Sequence, residues 1–170
     1  NIFINYYSPE SPKDCIEQMG FSYKFASGRE LRFIRTPYCH SPGTFMTYDT
    51  QSHVLFSSDL FGSYDVNWDL FTQIDGRCED CSAPAICPKT GRRCPVRGIM
   101  DFHQRIMTSR EALHYALDRV EEIADLEKIA PQHGSILHTA QSRKITIHCL
   151  RQLQTVGFTH FLEEKAHEKH

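Results

Sequence analysis

The chain has 170 residues, a net charge of -2 with histidine neutral, 40% hydrophobic residues and 24% charged residues. That length suits one domain with a sizeable core, and the composition is that of an ordinary globular protein. The charge balance excludes a broad basic footprint for nucleic acid, and no apolar run approaches the roughly 20 residues of a membrane-spanning helix.

The first residue is Asn1, and an apolar run follows at once. Ile2 to Tyr7 is β-rich and predicts a buried strand. Ser8 to Pro12 is a break, after which Lys13 to Met19 predicts a short helix with Cys15, Ile16 and Met19 on one face, stopped by Gly20. Phe21 to Ala26 and Leu31 to Arg35 predict strands around the Ser27-Gly28 turn. Pro37 to Gly43 is a loop holding Cys39 and His40. Thr44 to Tyr48 and His53 to Ser57 predict two more strands, the second ending at Asp59.

The pattern then changes. Leu60 to Gly98 is rich in Gly, Pro and Cys with no sustained period, and so long an irregular stretch in a compact domain is usually functional. Helix is expected again over Met100 to Met107. Ser109 to Ile123 predicts an amphipathic helix with Ala112, Leu113, Ala116, Leu117, Val120 and Ile123 on one stripe. Lys128 to Ala130 reads as a very short strand, Pro131 to Gly134 as a loop, and Thr139 to Gln154 as a last helix. Strands first, then a strand–loop–helix ending, give an α/β class. Residues 159–170 read as a polar tail or the start of a linker.

His40, Asp59 and His133 share one topological feature: each lies in a loop just past a predicted strand. α/β folds place their sites at strand ends. Two imidazoles and a carboxylate suit a borderline transition metal such as zinc or iron. A carboxylate has two oxygens and can bridge two ions, while each imidazole lends one nitrogen and keeps the other for a supporting hydrogen bond. Taken alone the pattern is modest. The chain has ten histidines, a lone loop histidine is most often solvated, and Asp before Leu-Phe-Gly is ordinary turn chemistry.

The surrounding residues add a resemblance. Pro37-Tyr38-Cys39-His40-Ser41-Pro42 resembles the Pro-x-x-His-x-Pro segment of flavodiiron and oxygen-binding diiron proteins, which have the metallo-β-lactamase fold. Val54 to Gly62 is similar to their strand leading to a bridging aspartate, and Thr44 to Tyr48 to the strand after the histidine. Ile129-Ala130-Pro131-Gln132-His133-Gly134 resembles their final ligand loop. The segments stand in family order and span roughly Phe3 to Leu153. The resemblance implies an αββα sandwich over residues 1–158 and a non-haem site with two irons about 3.5 Å apart. It implies that His40 ligates one iron and His133 the other, that Asp59 bridges them, and that O2 or NO binds at open positions.

The family's His-x-Glu-x-Asp-His motif is missing from this sequence. It lies upstream of the segments matched here, so the chain is expected to be truncated at its N-terminus, with an incomplete sandwich and half the iron ligands. Such a chain is expected not to hold two irons tightly by itself.

Seven cysteines occur, and with no signal-peptide pattern they are expected in a reducing cytoplasm. Cys78, Cys81, Cys87 and Cys94 cluster in an insertion over residues 75–98. Thiolates so spaced can close a tetrahedral zinc site, although only one true Cys-x-x-Cys pair is present. An iron–sulfur or redox role and unbound thiols stand as alternatives. Tyr38, Phe61, Tyr64 and Trp68 are candidates for pocket lining or, more often, core packing. No Gly-x-Ser-x-Gly elbow or P-loop supports hydrolase or nucleotide chemistry. The resemblance therefore implies a gas or redox sensor module first, linked to a signalling domain. Its alternatives are an O2 or NO reductase fed by a flavodoxin-like domain, a zinc-dependent hydrolase of the wider superfamily, and a non-catalytic scaffold. Family members often work as homodimers.

Overall fold

The structure is a computed structural model, and it describes residue 10 and residues 13–64, 69–79 and 81–167. The expected strand Ile2 to Tyr7 and the side chain of Trp68 lie outside these. Five strands form one mixed sheet in chain order: β1 (Ser22–Lys24), β2 (Glu30–Arg35), β3 (Phe45–Asp49), β4 (Val54–Phe56) and β5 (Lys128–Ala130). The first four pair antiparallel, and β5 joins β4 in parallel. Parallel pairing needs a long crossover, and residues 57–127 supply it.

The register decides which face is core. Ile34 opposes Met46, Tyr48 opposes Leu55, and Leu55 opposes Ile129. Met46, Tyr48, Leu55 and Ile129 are fully or almost fully buried on this face. The opposite face leaves Phe45 and Phe56 exposed, with Phe33 edge-on against Phe45. The described residues contain this one sheet, half of what a two-sheet sandwich holds.

Four helices follow: α1 (Pro95–Ile106), α2 (Arg110–Glu121), α3 (Ala140–Arg151) and α4 (Gly157–His167). Helix α2 buries Leu113, Ala116, Leu117 and Val120, four of the six stripe residues expected from period; Ala112 is half-buried and Ile123 lies past the helix end. The Ser109 hydroxyl caps its start by accepting the Ala112 N–H. A capping box opens α3, with Thr139 and Ser142 satisfying each other's backbone N–H groups. Leu113, Leu117 and Leu150 join Met46, Leu55 and Ile129 in one core.

Two expectations need correction. Lys13 to Met19 is not a helix: residues 16–20 form only turns, with Gly20 and Phe21 both left-handed (φ +64 and +58). Seven residues between a proline break and a left-handed glycine are too few to sustain helix nucleation. Helix α1 starts at Pro95, not after Gly98. Proline has no N–H to leave unpaired and fits the first helical turn, and Gly98 is buried within it. Between β4 and α1 the described residues of the irregular stretch hold one 3-10 turn, Gly76–Cys78. It is tied to the chain beyond β5 by the Phe71–Ile136 bridge. Helix α4 packs against α1 and runs through most of the segment read as a polar tail.

Candidate metal centre

The three candidate ligands come together at the ends of β4 and β5. Asp59 sits in a tight turn after β4, in which Leu60 N–H donates to Ser57 O (3.1 Å) and Gly62 N–H to Asp59 O (3.0 Å). The Ser57 hydroxyl donates to Leu60 O (2.6 Å). Ser58 and Phe61 are left-handed (φ +55 and +70), a conformation non-glycine residues hold only when their surroundings enforce it. The turn is fastened to the loop after β5: Ser57 N–H donates to Ala130 O, Gln132 N–H to Ser58 O and Ser63 N–H to His133 O. Gly134 lets the two loops approach. It is left-handed (φ +102), and a Cβ there would stand 3.3 Å from Ser63.

His40 arrives from the loop between β2 and β3, closed by Tyr38 N–H to Ser41 O (2.8 Å). Beside it Cys39 is buried, its thiol against Met107 Sδ at 3.4 Å. Burial, and then the negative charge of Asp59, push that thiol up to about 12, so it stays protonated.

His40 Nε2–H donates to Asp59 Oδ2 at 2.6 Å. His133 Nε2 stands 3.5 Å from Asp59 Oδ1, near enough to attract but without a hydrogen bond, and Oδ1 is buried and unpartnered. One carboxylate oxygen therefore faces each imidazole. Buried polar atoms are normally satisfied; this one has no hydrogen-bond partner and stands 3.5 Å from the His133 nitrogen. The donor set and the orphaned oxygen fit transition-metal ions. Proton and cation compete for the imidazole nitrogens, so metal binding here displaces protons. A pocket of about 370 Å³ opens over the three side chains, walled by Phe102, Ile106, Tyr64 and Gln132. Tyr64 packs edge-on against Phe102, whose ring also faces His133.

The aromatic candidates divide. Phe61 is core, Tyr38 is exposed, and Tyr64 is half exposed at the pocket rim. One residue escaped the sequence reading. His103, on α1, is completely buried beneath the Asp59 turn, where its Nε2 accepts the Phe61 N–H at 2.9 Å. Its Nδ1–H donates to Ile99 O at 2.7 Å. The signal was present: Val96, Ile99, His103 and Ile106 share helical spacing, which puts a histidine on an apolar face.

All seven cysteines are unpaired thiols. Cys78, Cys81, Cys87 and Cys94 line a second cavity of about 870 Å³ with Arg77, Lys89 and Arg92. The Ile86–Arg93 bridge makes a hairpin that brings Cys87 and Cys94 to adjoining positions. The Thr90 hydroxyl, then the Lys89 and Thr90 N–H groups, hold the Cys87 thiol below its ordinary pKa. Cys94, at the N-cap of α1, is raised by burial, against the N–H groups of Arg97 and Val96 and with the charges of Cys81 and Cys87. Among the described residues no group of three or more His, Cys, Asp or Glu side chains stands in ready coordinating geometry. Among the same residues no helix is long and apolar enough to cross a membrane.

Known proteins were compared with this geometry. The chemotaxis sensor ODP, solved as a peroxy diiron species and, from T. denticola, in an apo state, superposes with a TM-score of 0.64 at 26% identity. The match covers 85% of this chain and 53% of the sensor in its peroxy diiron structure. Type A flavoprotein fprA of Rhodobacter capsulatus is 33% identical over 113 residues, 65% of this chain and 22% of that protein. An anaerobic nitric oxide reductase flavorubredoxin of Aeromonas hydrophila is 36% identical over 75 residues, 41% of this chain and 15% of that protein. The chain thus spans about half the length of the sensor and under a quarter of these two curated relatives. The family model described as ODP family beta lactamase matches residues 1–134, reaching through β5 and the loop that follows it, and the chain belongs to that family.

Proposed function

We propose that this domain contributes His40, Asp59 and His133 to a non-haem diiron site that binds O2 or NO as a gas or redox sensor module. The observation that carries this is the buried, unpartnered Asp59 oxygen facing one of two convergent imidazoles. Bound there, two irons would supply open positions for a diatomic ligand. His40 and His133 would offer Nε2 to the metals, with one Asp59 oxygen directed to each side. Phe102 and Ile106 limit water, and Tyr64 sets a hydroxyl at the rim. Gas sensing is favoured because a protein that superposes on 85% of this chain at 26% identity is described as a chemotaxis sensor. A linked signalling domain and homodimer formation belong to the same proposal, as does a reducing cytoplasm, for which the seven unpaired thiols speak.

A reductase is the second reading, favoured by the identity to a nitric oxide reductase flavorubredoxin. It would need a flavodoxin-like partner domain as electron source. A zinc hydrolase of the superfamily is the third.

The test is metal analysis of anaerobically prepared full-length protein, with O2 and NO titrations followed optically. The sensor proposal expects bound iron and an O2 adduct that persists without turnover. Rapid gas consumption with a reduced flavin donor would move the assignment to the reductase. Zinc with ester or amide hydrolysis would move it to the hydrolase, and absence of any metal would sink it.

Zinc held by Cys78, Cys81, Cys87 and Cys94 is a separate part of the proposal. It is supported by their spacing and shared cavity. One zinc per chain, lost in Cys87→Ser, is expected; iron in its place would mark a redox centre, and neither metal would leave four plain thiols.

A further inference from the structure

We infer that His103 is a positioning residue for the metal centre: its ring holds the Ser57–Gly62 turn and thereby fixes where Asp59 presents its carboxylate. The inference rests on the diiron proposal for what Asp59 binds, but the contacts themselves do not.

His103 is 0% exposed and lies among apolar residues. A leucine there would fill similar space without polar atoms to desolvate. The imidazole has instead two specific partners. Its Nε2 accepts the N–H of Phe61, two residues beyond Asp59, and its Nδ1–H donates to Ile99 O one turn back on α1. A nitrogen that accepts from a backbone N–H carries no proton, so the proton must be on Nδ1 and the ring is neutral.

Two consequences follow for the site. First, Phe61 is left-handed (φ +70), as is Ser58 (φ +55), and both flank Asp59. That conformation is unfavourable unless its surroundings over-determine it, and the bond from α1 supplies one such constraint. Without it the Phe61 N–H would be a buried donor with no acceptor. Second, a neutral ring does not compete for Asp59. A lysine or arginine at the same place would pair with the carboxylate and spend its charge inside the protein. His103 anchors the turn while leaving the full negative charge for cations on the pocket side. Supporting groups of this sort commonly change metal affinity by about 10- to 100-fold.

The test compares His103→Leu with His103→Gln in full-length protein, whose Gln side-chain oxygen can still accept from Phe61. Iron affinity, the Mössbauer spectrum and hydrogen exchange at the Phe61 amide are read for each. Leu is expected to lower iron affinity at least tenfold, alter the iron spectrum and speed Phe61 exchange at least tenfold. Gln is expected to recover most of each. Wild-type iron affinity, spectrum and Phe61 exchange in the Leu variant would overturn the assignment. Should the Leu variant not fold, 15N shifts of the wild-type ring decide. A protonated Nδ1 with Nε2 coupled to the Phe61 N–H supports the inference, and a protonated Nε2 defeats it. If wild-type protein holds no iron, the diiron proposal fails, and the tautomer and exchange data still judge the turn-holding role.

Discussion

Two carboxylates at opposite ends of the sheet make a matched pair for mutation. Asp49 is completely buried and fully satisfied: Arg29 donates two hydrogen bonds to it, the Ser52 hydroxyl another, and the Gln51 N–H a fourth (3.1 Å). Arg29 holds its carboxyl far below the usual range, helped by Ser52 and Gln51 and against its burial. Asp59 has one partner, the half-exposed His40, and one buried oxygen with none. Truncating Asp49 strips four hydrogen bonds and leaves their donors to water or to nothing, so Asp49→Ala should cost about 3 kcal/mol. Truncating Asp59 removes an unpartnered buried acceptor, a gain of roughly 1–3 kcal/mol. It loses the half-exposed His40 hydrogen bond, worth about 0.5–1.5 kcal/mol. In excess chelator Asp59→Ala should therefore stabilise the fold by about 1 kcal/mol, a rise in Tm of roughly 2–4 °C. Urea unfolding of the two variants beside the wild type measures both. If Asp59→Ala destabilises the fold as much as Asp49→Ala, Asp59 is a folding element and not a ligand held at a cost.

Three other outcomes are expected. Burial pushes His103 down to about 4, against its bond to Ile99 and the charge of Asp59, while the unfolded chain takes up that proton near 6.5. Stability should thus be intact above pH 6.5, fall as the pH drops and reach its full loss near pH 4, and this component should vanish from a urea–pH series on His103→Gln. After metal removal with chelator, native alkylation at pH 8, read by mass spectrometry, should label Cys87 early, since Thr90 and nearby N–H groups favour its thiolate, and leave buried Cys39 unmodified until unfolding. Gly157 opens α4 at φ +57, where a Cβ would come 2.3 Å from Met107 O; Gly157→Ala should lower stability by roughly 2 kcal/mol and loosen α4, seen as faster amide exchange there.

Much of the molecule was legible in advance because local and tertiary demands agreed. Strand β5 is observed over the expected residues Lys128–Ala130, where Ile129 is buried against Leu55 and Pro131 ends the run. Helix α2 follows its stripe for the same reason. The segment from Leu60 to Gly98 was legible only as irregular. Its order comes from one distant partner, Thr72 N–H to Ile136 O, and from the local Ile86–Arg93 hairpin, neither of which a helical or strand period encodes. At the site, His40, Asp59 and His133 were picked out by their places after strands together with the family resemblance of the segments around them. His103 could not be assigned a role from its helical face alone, because its partner is a backbone N–H made available by the left-handed turn at Phe61.

We propose that His40, Asp59 and His133 act on one metal site. The most direct measurement is an NMR titration with Mn2+, following both imidazoles through paramagnetic broadening. The His40 and His133 signals should broaden together at the same low metal concentration, and Asp59→Ala should abolish the effect at both. Broadening of one ring alone, or of neither while Mn2+ binds elsewhere, would contradict it.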